Sequence, residues 1–239
     1  MSGQQSATPG LSDGSESNPN SSKRRRTFEP KQQNLGYVDV ALFFLGVFVL
    51  SLASRAAAHV GLFPASTLVE PPLPLQAAIS LLLVLDLYLA IRLRHGPGVW
   101  RLLGWKKLNR QSLLGAIAGG TSLAILVDLV ARSTTDGVYP IHFWEIALVD
   151  VTLGPFVEES FFRGCLQPVI THTAGRSVGI LATAVIFASL HQVSTVIQWI
   201  CLLGTGVAYG WMRTKTNSTS PAACMHAAYN LALFLCQFR

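Results

Sequence analysis

The chain has 239 residues, of which half are hydrophobic and only 13 % are charged, and its mean hydropathy is +0.42. This composition excludes an ordinary soluble enzyme and indicates an integral membrane protein. The net charge of +6 excludes little by itself, because most basic residues lie in short loops between apolar runs. That pattern is typical of membrane topology rather than nucleic-acid binding, so no nucleic-acid partner is expected.

The first 34 residues are rich in Ser, Gly, Asn, Gln and Pro and contain almost no apolar residues. A segment of this kind cannot bury enough surface to order itself, so residues 1–34 are predicted to be a disordered cytoplasmic tail. The basic run 23–26 precedes an apolar segment, as a cytoplasmic anchor does. A signal peptide, with Ala56, Ala57 and Ala58 as a cleavage-like site, is the rival interpretation.

Residues 35–239 are predicted to form a transmembrane helical domain of the all-α class, a polytopic bundle with about seven membrane segments. At 1.5 Å per residue most of these segments could cross about 30 Å of hydrocarbon. The predicted segments are 37–59, 73–93, 112–131, 141–170, 177–192, 195–212 and 221–238.

The basic residues fix an orientation for these segments. Threading them alternately with the N-terminus inside places 14 of the 18 Lys and Arg residues on the inner side. Because cytoplasmic loops carry the excess of Lys and Arg, we expect a cytoplasmic N-terminus and a C-terminus on the far side. The basic, Trp-containing stretch 96–110 suits an amphipathic segment on the inner membrane surface.

The fourth segment contains charged residues within apolar sequence, Glu158, Glu159 and Arg163. Charges inside a bilayer are costly and usually mark a working site. On a helix, Glu159 and Arg163 stand four residues apart and can pair across one turn. Glu158 points about 100° away from Glu159 and stays free for chemistry. Pro155, which lacks an N–H, is expected to bend or restart the helix just before the carboxylates.

Two later segments contain further polar motifs, Phe187 with His191, and His226 with Asn230. His226 and Asn230 are four apart and therefore share one helix face. With Glu158, these residues comprise the parts needed for hydrolysis by an activated water. A carboxylate and an imidazole can act as bases, and an imidazole and a carboxamide can donate to an oxyanion.

Taken together, the motifs resemble those of the CPBP family of intramembrane proteases, the type II CAAX prenyl endopeptidase or Abi family. The family pattern is Glu-Glu-x-x-x-Arg, then Phe-x-x-x-His, then His-x-x-x-Asn or Asp. All three motifs occur here in order, within about residues 141–238. The resemblance implies a helical membrane domain whose water-filled cavity opens to the cytosolic side and which cuts peptide bonds near the C-terminus of substrates.

The resemblance also implies roles for single residues. Glu158 with His191 would activate the water, and His226 with Asn230 would stabilise the oxyanion. Glu159 and Arg163, together with Phe187, would support the site. If zinc is a cofactor, its ligands would be Glu158, His191 and His226, although the chain contains no His-Glu-x-x-His helix.

The expected partners are a peptide or prenylated protein substrate and the lipid bilayer. Eukaryotic relatives usually have eight membrane segments, so this short chain with seven is more similar to prokaryotic members, and the expected location is a prokaryotic plasma membrane. Two alternatives remain open at this point. The chain could be a non-catalytic membrane binding or immunity protein, or an ion or proton transporter that uses the glutamates and histidines as a path.

Overall fold

The computed structural model describes residues 34–64, 72–131 and 146–236. The predicted disordered tail lies outside these described residues, apart from its last residue. The first residues of the predicted fourth segment, 141–145, and the end of the seventh, 237–238, also lie outside them.

Every regular element in the described part of the chain is helical, which confirms the all-α class. Three of these helices, Tyr37–His59, Leu73–His95 and Arg110–Ala131, are long and apolar enough to cross a membrane. Each of the seven predicted segments contains a helix, but the count of seven membrane crossings stays a prediction. The helices are α1 Tyr37–His59, α2 Leu73–His95, α3 Val99–Leu102, α4 Arg110–Ala131, α5 over 146–174, α6 Arg176–Leu190, α7 Val196–Thr216 and α8 Thr219–Cys236.

Helix α5 is continuous but changes its winding three times. Wide π-helical turns over Ile146–Leu153 give way to an α-helix at Gly154–Phe161. A second π-helical stretch, Phe162–Leu166, precedes the α-helix Gln167–Ala174. The α-helix restarts one residue before Pro155, as the missing N–H of that residue predicts. Wide turns of this kind are frequent at functional sites, and here they flank the paired glutamates on both sides.

Helices α4 and α8 pack against each other through small residues. A methyl group built on Gly120 of α4 would overlap the backbone carbonyl oxygen of Met225 and the backbone nitrogen of Tyr229. One built on Gly115 of the same helix meets nothing within 4 Å. The α8 backbone therefore approaches α4 closely at Gly120 but not at Gly115, and small residues allow such contacts in membrane helix pairs.

This difference predicts opposite effects of alanine at the two glycines. We expect Gly120→Ala to lower stability by about 1–3 kcal/mol, because the α8 backbone cannot move aside. We expect Gly115→Ala to be neutral or to raise stability by up to about 1 kcal/mol, because alanine is the better helix former. Thermal unfolding of both variants in detergent measures the difference, and equal effects would contradict the close approach.

One end of the bundle is fastened by polar contacts between helix termini. The buried Asp39 carboxylate at the start of α1 pairs with Arg94 and His95 at the end of α2. The loop after α3 is fastened to the start of α8, where Thr219 donates to the Leu103 carbonyl oxygen at 2.5 Å. The contacts hold the start of α1, the end of α2 and the start of α8 at the same end of the bundle.

Candidate active site

A fully buried ion pair stands at the centre of the site. Arg163 Nη1 donates to Glu159 Oε1 at 2.9 Å, and both side chains have no solvent exposure. Arg163 Nη2 donates to the Gly206 carbonyl oxygen of α7 at 3.0 Å. The guanidinium also lies 4.7 Å from the ring centre of Phe187 and 5.2 Å from that of Tyr209. Aromatic faces and a carbonyl dipole thus compensate a charge that would otherwise be costly to bury.

The same carboxylate fixes the orientation of His226. Glu159 Oε1 lies 3.1 Å from His226 Nδ1, and because a carboxylate accepts, the imidazole donates through that nitrogen. Tyr209 stacks on the imidazole, with ring centres 4.8 Å apart and planes 21° apart. The Nε2 atom of His226 is therefore the nitrogen left for chemistry.

His191 is oriented in the same way by a backbone carbonyl. It follows the last residue of α6, and its Nδ1 donates to the Phe187 carbonyl oxygen at 2.7 Å. Carbonyl oxygens only accept, so the Nε2 atom of a neutral His191 carries the free lone pair. Phe187 thus contributes twice, through its ring to Arg163 and through its carbonyl to His191.

Glu158 faces the free nitrogens of both histidines. Its Oε2 atom lies 3.7 Å from His191 Nε2 and 4.0 Å from His226 Nε2, beyond direct hydrogen-bond range. Among the described residues this buried oxygen has no hydrogen-bond partner. A polar contact longer than about 3.5 Å raises the question of a water between the two groups. The three side chains face one common volume between a carboxylate and two imidazoles.

A cavity of about 390 Å³ lies beside Glu158. Asn230 lines the same cavity, and its Nδ2 donates to the Asp150 carbonyl oxygen at 2.6 Å. One of the two N–H groups of this amide is thus used to join α8 to α5, and the expected oxyanion role rests on the second. The lining residues are Gln76, Ile79, Ser80, Val149, Asp150, Gly154, Glu158 and Asn230.

In the folded chain the three motifs come together, although they are spread over about 70 residues of the sequence. Residues 140–232 match the family model of the type II CAAX prenyl endopeptidase Rce1-like proteins. This region belongs to the CAAX protease family. No curated protein and no solved structure matches the chain. With its apolar helices, the chain is therefore an integral membrane protein with a CAAX protease region.

Glu158, His191 and His226 are the ligands that zinc would have if it is a cofactor of the CAAX protease region. Zinc binds its nitrogen and oxygen ligands at about 2.0–2.2 Å in a tetrahedral arrangement. Over the described ranges, no three or more His, Cys, Asp and Glu side chains form a group that could hold a metal ion. Glu158, His191 and His226 converge on a common volume, and zinc binding by these three side chains stays a prediction.

Tyr209, which no sequence motif predicted, contacts both Arg163 and His226 in the CAAX protease site. Its side chain is 1 % exposed and touches Arg163 as well as His226, yet its hydroxyl has no hydrogen-bond partner among the described residues. No spacing relates Tyr209 to the motifs, because it lies on α7, which carries none of them. The only available signal was its position between Gly206 and Gly210, where α7 can pack closely.

The aromatic ring of Tyr209, rather than its hydroxyl, is expected to matter. We expect Tyr209→Phe to keep activity, because the hydroxyl has no hydrogen bond within the described part of the chain that the change would break. Tyr209→Leu should lower kcat by about 10-fold or more, because His226 loses the stacked face that holds its ring. Peptide-cleavage kinetics of the two variants separate these effects. Equal losses in both would show that the hydroxyl, not the ring, carries the contribution.

Proposed function

We propose that the protein is an intramembrane endopeptidase that hydrolyses peptide bonds with a water molecule activated by Glu158 and His191. The observation that supports this most strongly is Glu158 Oε2, which has no hydrogen-bond partner among the described residues and faces two imidazole nitrogens beside a cavity. In this mechanism Glu158 is the base, His226 and Asn230 are the donors, and neither a serine nor a cysteine nucleophile is needed.

The first step consumes one water and forms a tetrahedral intermediate. Water donates one hydrogen bond to Glu158 Oε2 and one to His191 Nε2, while its oxygen attacks the scissile carbonyl carbon. As the new C–O bond forms, the proton moves to Glu158 and the carbonyl oxygen becomes an oxyanion. Proton transfer by a placed base typically contributes about 10²–10⁴ in rate.

The oxyanion is stabilised by donors on α8. His226, when protonated, presents an Nε2–H, and Glu159 accepts the hydrogen bond from the opposite ring nitrogen. Asn230 supplies its second N–H from the same helix face. One donor of this kind is worth about 10²–10³ in rate. In the second step the C–N bond breaks, the proton held by Glu158 passes to the leaving nitrogen, and an acid and an amine result.

The supporting pair has no role in the chemistry itself. Glu159 and Arg163 lie behind His226 and hold its tautomer, so they are positioning residues. The proposal includes seven membrane crossings with the N-terminal tail in the cytoplasm of a prokaryotic cell. Substrates are peptides or protein tails cut near the C-terminus, with prenylated CAAX tails as one candidate class.

Cleavage of defined peptides tests this function. Purified protein in detergent is incubated with a farnesylated C-a-a-X peptide and with an unprenylated peptide mixture, with and without a zinc chelator, and products are identified by mass. We expect hydrolysis at internal peptide bonds that resists the chelator. A folded wild-type protein that cuts none of these peptides would overturn the endopeptidase proposal, and chelator sensitivity would overturn the metal-free water.

A further inference from the structure

A short basic connection joins α2 to α4, and we name residues 96–110 the basic loop. The two helices that it joins, Leu73–His95 and Arg110–Ala131, are each long and apolar enough to cross a membrane. A short connection between two such helices lies at the membrane surface, because each helix uses its whole length to cross the hydrocarbon. The basic loop is therefore placed where the lipid headgroups are.

Every charged residue of the basic loop is positive. Between Asp86 and Asp128 the chain has six Lys and Arg residues and no acidic residue. Four of the six belong to the basic loop, and their side chains are exposed: Arg101, Lys106, Lys107 and Arg110. Within the described ranges none of these four pairs with a carboxylate, whereas Arg94 pairs with Asp39. Each such cation near an anionic membrane surface strengthens binding by about fivefold.

Apolar side chains are exposed among these charges. Trp100 and Leu108 are each 38 % exposed. Tryptophan is enriched at the level of the headgroups, where its ring meets the acyl chains and its polar edge stays in water. An anionic membrane interface accommodates both kinds of side chain, since phosphates attract the cations and acyl chains cover the apolar groups. A phospholipid therefore fits this surface better than a nucleic acid or an acidic protein does.

The basic loop also contacts the helix that carries the paired glutamates. Trp105 Nε1 donates to Ser160 Oγ at 3.1 Å, and the Trp105 ring centre lies 4.9 Å from that of Phe156. Ser160 Oγ donates in turn to the Phe156 carbonyl oxygen at 2.6 Å. Glu158 and Glu159 lie between these two residues in the sequence. One side chain of the loop thus holds the turn of α5 that carries both carboxylates.

The loop backbone contacts α5 at a second place. A methyl group built on Gly164 would lie 2.9 Å from the Leu103 carbonyl oxygen, so the two backbones approach closely there. Gly164 belongs to the wide-turn stretch Phe162–Leu166, which follows the glutamates. The basic loop therefore packs on the α-helical turn and on the wide turn after it, and a displacement of the loop would displace Glu158.

We propose that the basic loop binds anionic phospholipid headgroups, and that this contact keeps Glu158 in its catalytic position through Trp105 and Ser160. The lipid is an activator, and Trp105 is a positioning residue that touches neither substrate nor water. The effect on cleavage rests on the proposed function, whereas lipid binding does not depend on it.

Lipid binding is measured first, because it requires no catalysis. Short-chain phosphatidylglycerol and phosphatidylcholine are titrated by calorimetry into the full chain in nonionic detergent, and glycerol phosphate serves as the free headgroup. We expect phosphatidylglycerol to bind about 10-fold or more tightly than phosphatidylcholine. Lys107→Gln should weaken its binding about fivefold, and the double variant with Lys106→Gln about 25-fold.

Arg55→Gln is the matched control for Lys107→Gln. It also removes one exposed positive charge, but near the last turn of α1. Asp39, in the first turn of that helix, pairs with the end of α2 from which the basic loop starts. Arg55 is 16 residues further on, or about 24 Å at 1.5 Å per residue. The affinity for phosphatidylglycerol should therefore stay at the wild-type value.

Cleavage in nanodiscs tests the coupling to α5. We expect wild type to cut peptides about 10-fold faster in discs that contain phosphatidylglycerol than in discs of phosphatidylcholine alone, because small misplacements of a catalytic group cost up to about 10² in rate. Trp105→Phe keeps an aromatic ring against Phe156 but loses the N–H donor. It should bind phosphatidylglycerol as wild type does and show no rise in cleavage. Ser160→Ala removes the acceptor instead, in case Trp105→Phe does not fold.

Each contrary result is decisive. Equal affinity for the two lipids, unchanged affinity in the double lysine variant, or glycerol phosphate binding as tightly as phosphatidylglycerol would overturn the lipid site. Selective binding with no rise in wild-type cleavage, or an equal rise in Trp105→Phe, would overturn the coupling through Trp105. Selective binding without cleavage in either kind of disc would contradict the endopeptidase function and leave the lipid site intact.

Discussion

Glu158→Gln is expected to lower peptide cleavage by about 10²–10⁴, the usual contribution of a placed general base. Glutamine keeps the shape of the side chain but cannot take a proton from water. Folding should be preserved, because the carboxylate side chain is 32 % exposed and its Oε2 has no hydrogen-bond partner to lose within the described part of the chain. Peptide binding should persist, because glutamine keeps the shape of the side chain beside the cavity.

Asp150→Asn is the matched control for this substitution. It removes the same charge from the same cavity, about two helical turns from Glu158, but from a carboxylate that faces neither histidine in the proposed mechanism. Cleavage rate, peptide affinity and thermal unfolding are measured for both variants. An equal loss of cleavage in the control would show that cavity charge, not proton abstraction, accounts for the effect.

Arg163→Leu is expected to destabilise the protein by about 3–5 kcal/mol, because it leaves the Glu159 carboxylate buried without its main partner. The double variant Glu159→Leu with Arg163→Leu removes both charges and should recover most of that loss. Its cleavage should still be low, because His226 no longer has an acceptor to fix its tautomer. Thermal unfolding in detergent and cleavage kinetics together separate stability from positioning.

A double variant that is less stable than Arg163→Leu alone would contradict this expectation. The other contacts of the two side chains would then stabilise the protein by more than the unpaired Glu159 carboxylate destabilises it. Those contacts are the bond from Arg163 to the Gly206 carbonyl oxygen and the cation–π contacts to Phe187 and Tyr209. The pair would then be a packing element first and an ion pair second.

The sequence predicts well those features of the site that depend on helical spacing. Glu159 and Arg163, four residues apart, pair across one turn as expected, and the α-helix of α5 restarts beside Pro155. Apolar length locates the helices to within a few residues. These properties are local, so a single sequence contains them.

Features that depend on neighbouring helices could not be predicted. The link between Glu159 and His226 spans 67 residues, and the stacking of Tyr209 on His226 requires the close approach of α7 to the site. The bond from Asn230 to the Asp150 carbonyl oxygen was also unforeseen, since backbone acceptors give no signal in a sequence.

The measurement that tests the central claim most directly is a double-mutant cycle on Glu158 and His191. Single-turnover cleavage is measured for wild type, Glu158→Gln, His191→Gln and the double variant, with folding checked by thermal unfolding. If both side chains act on one water, the double variant should be about as slow as the slower single variant, because groups that act as a unit are strongly non-additive. Rate losses that multiply in the double variant would contradict a shared water, and unchanged cleavage in Glu158→Gln would contradict the mechanism altogether.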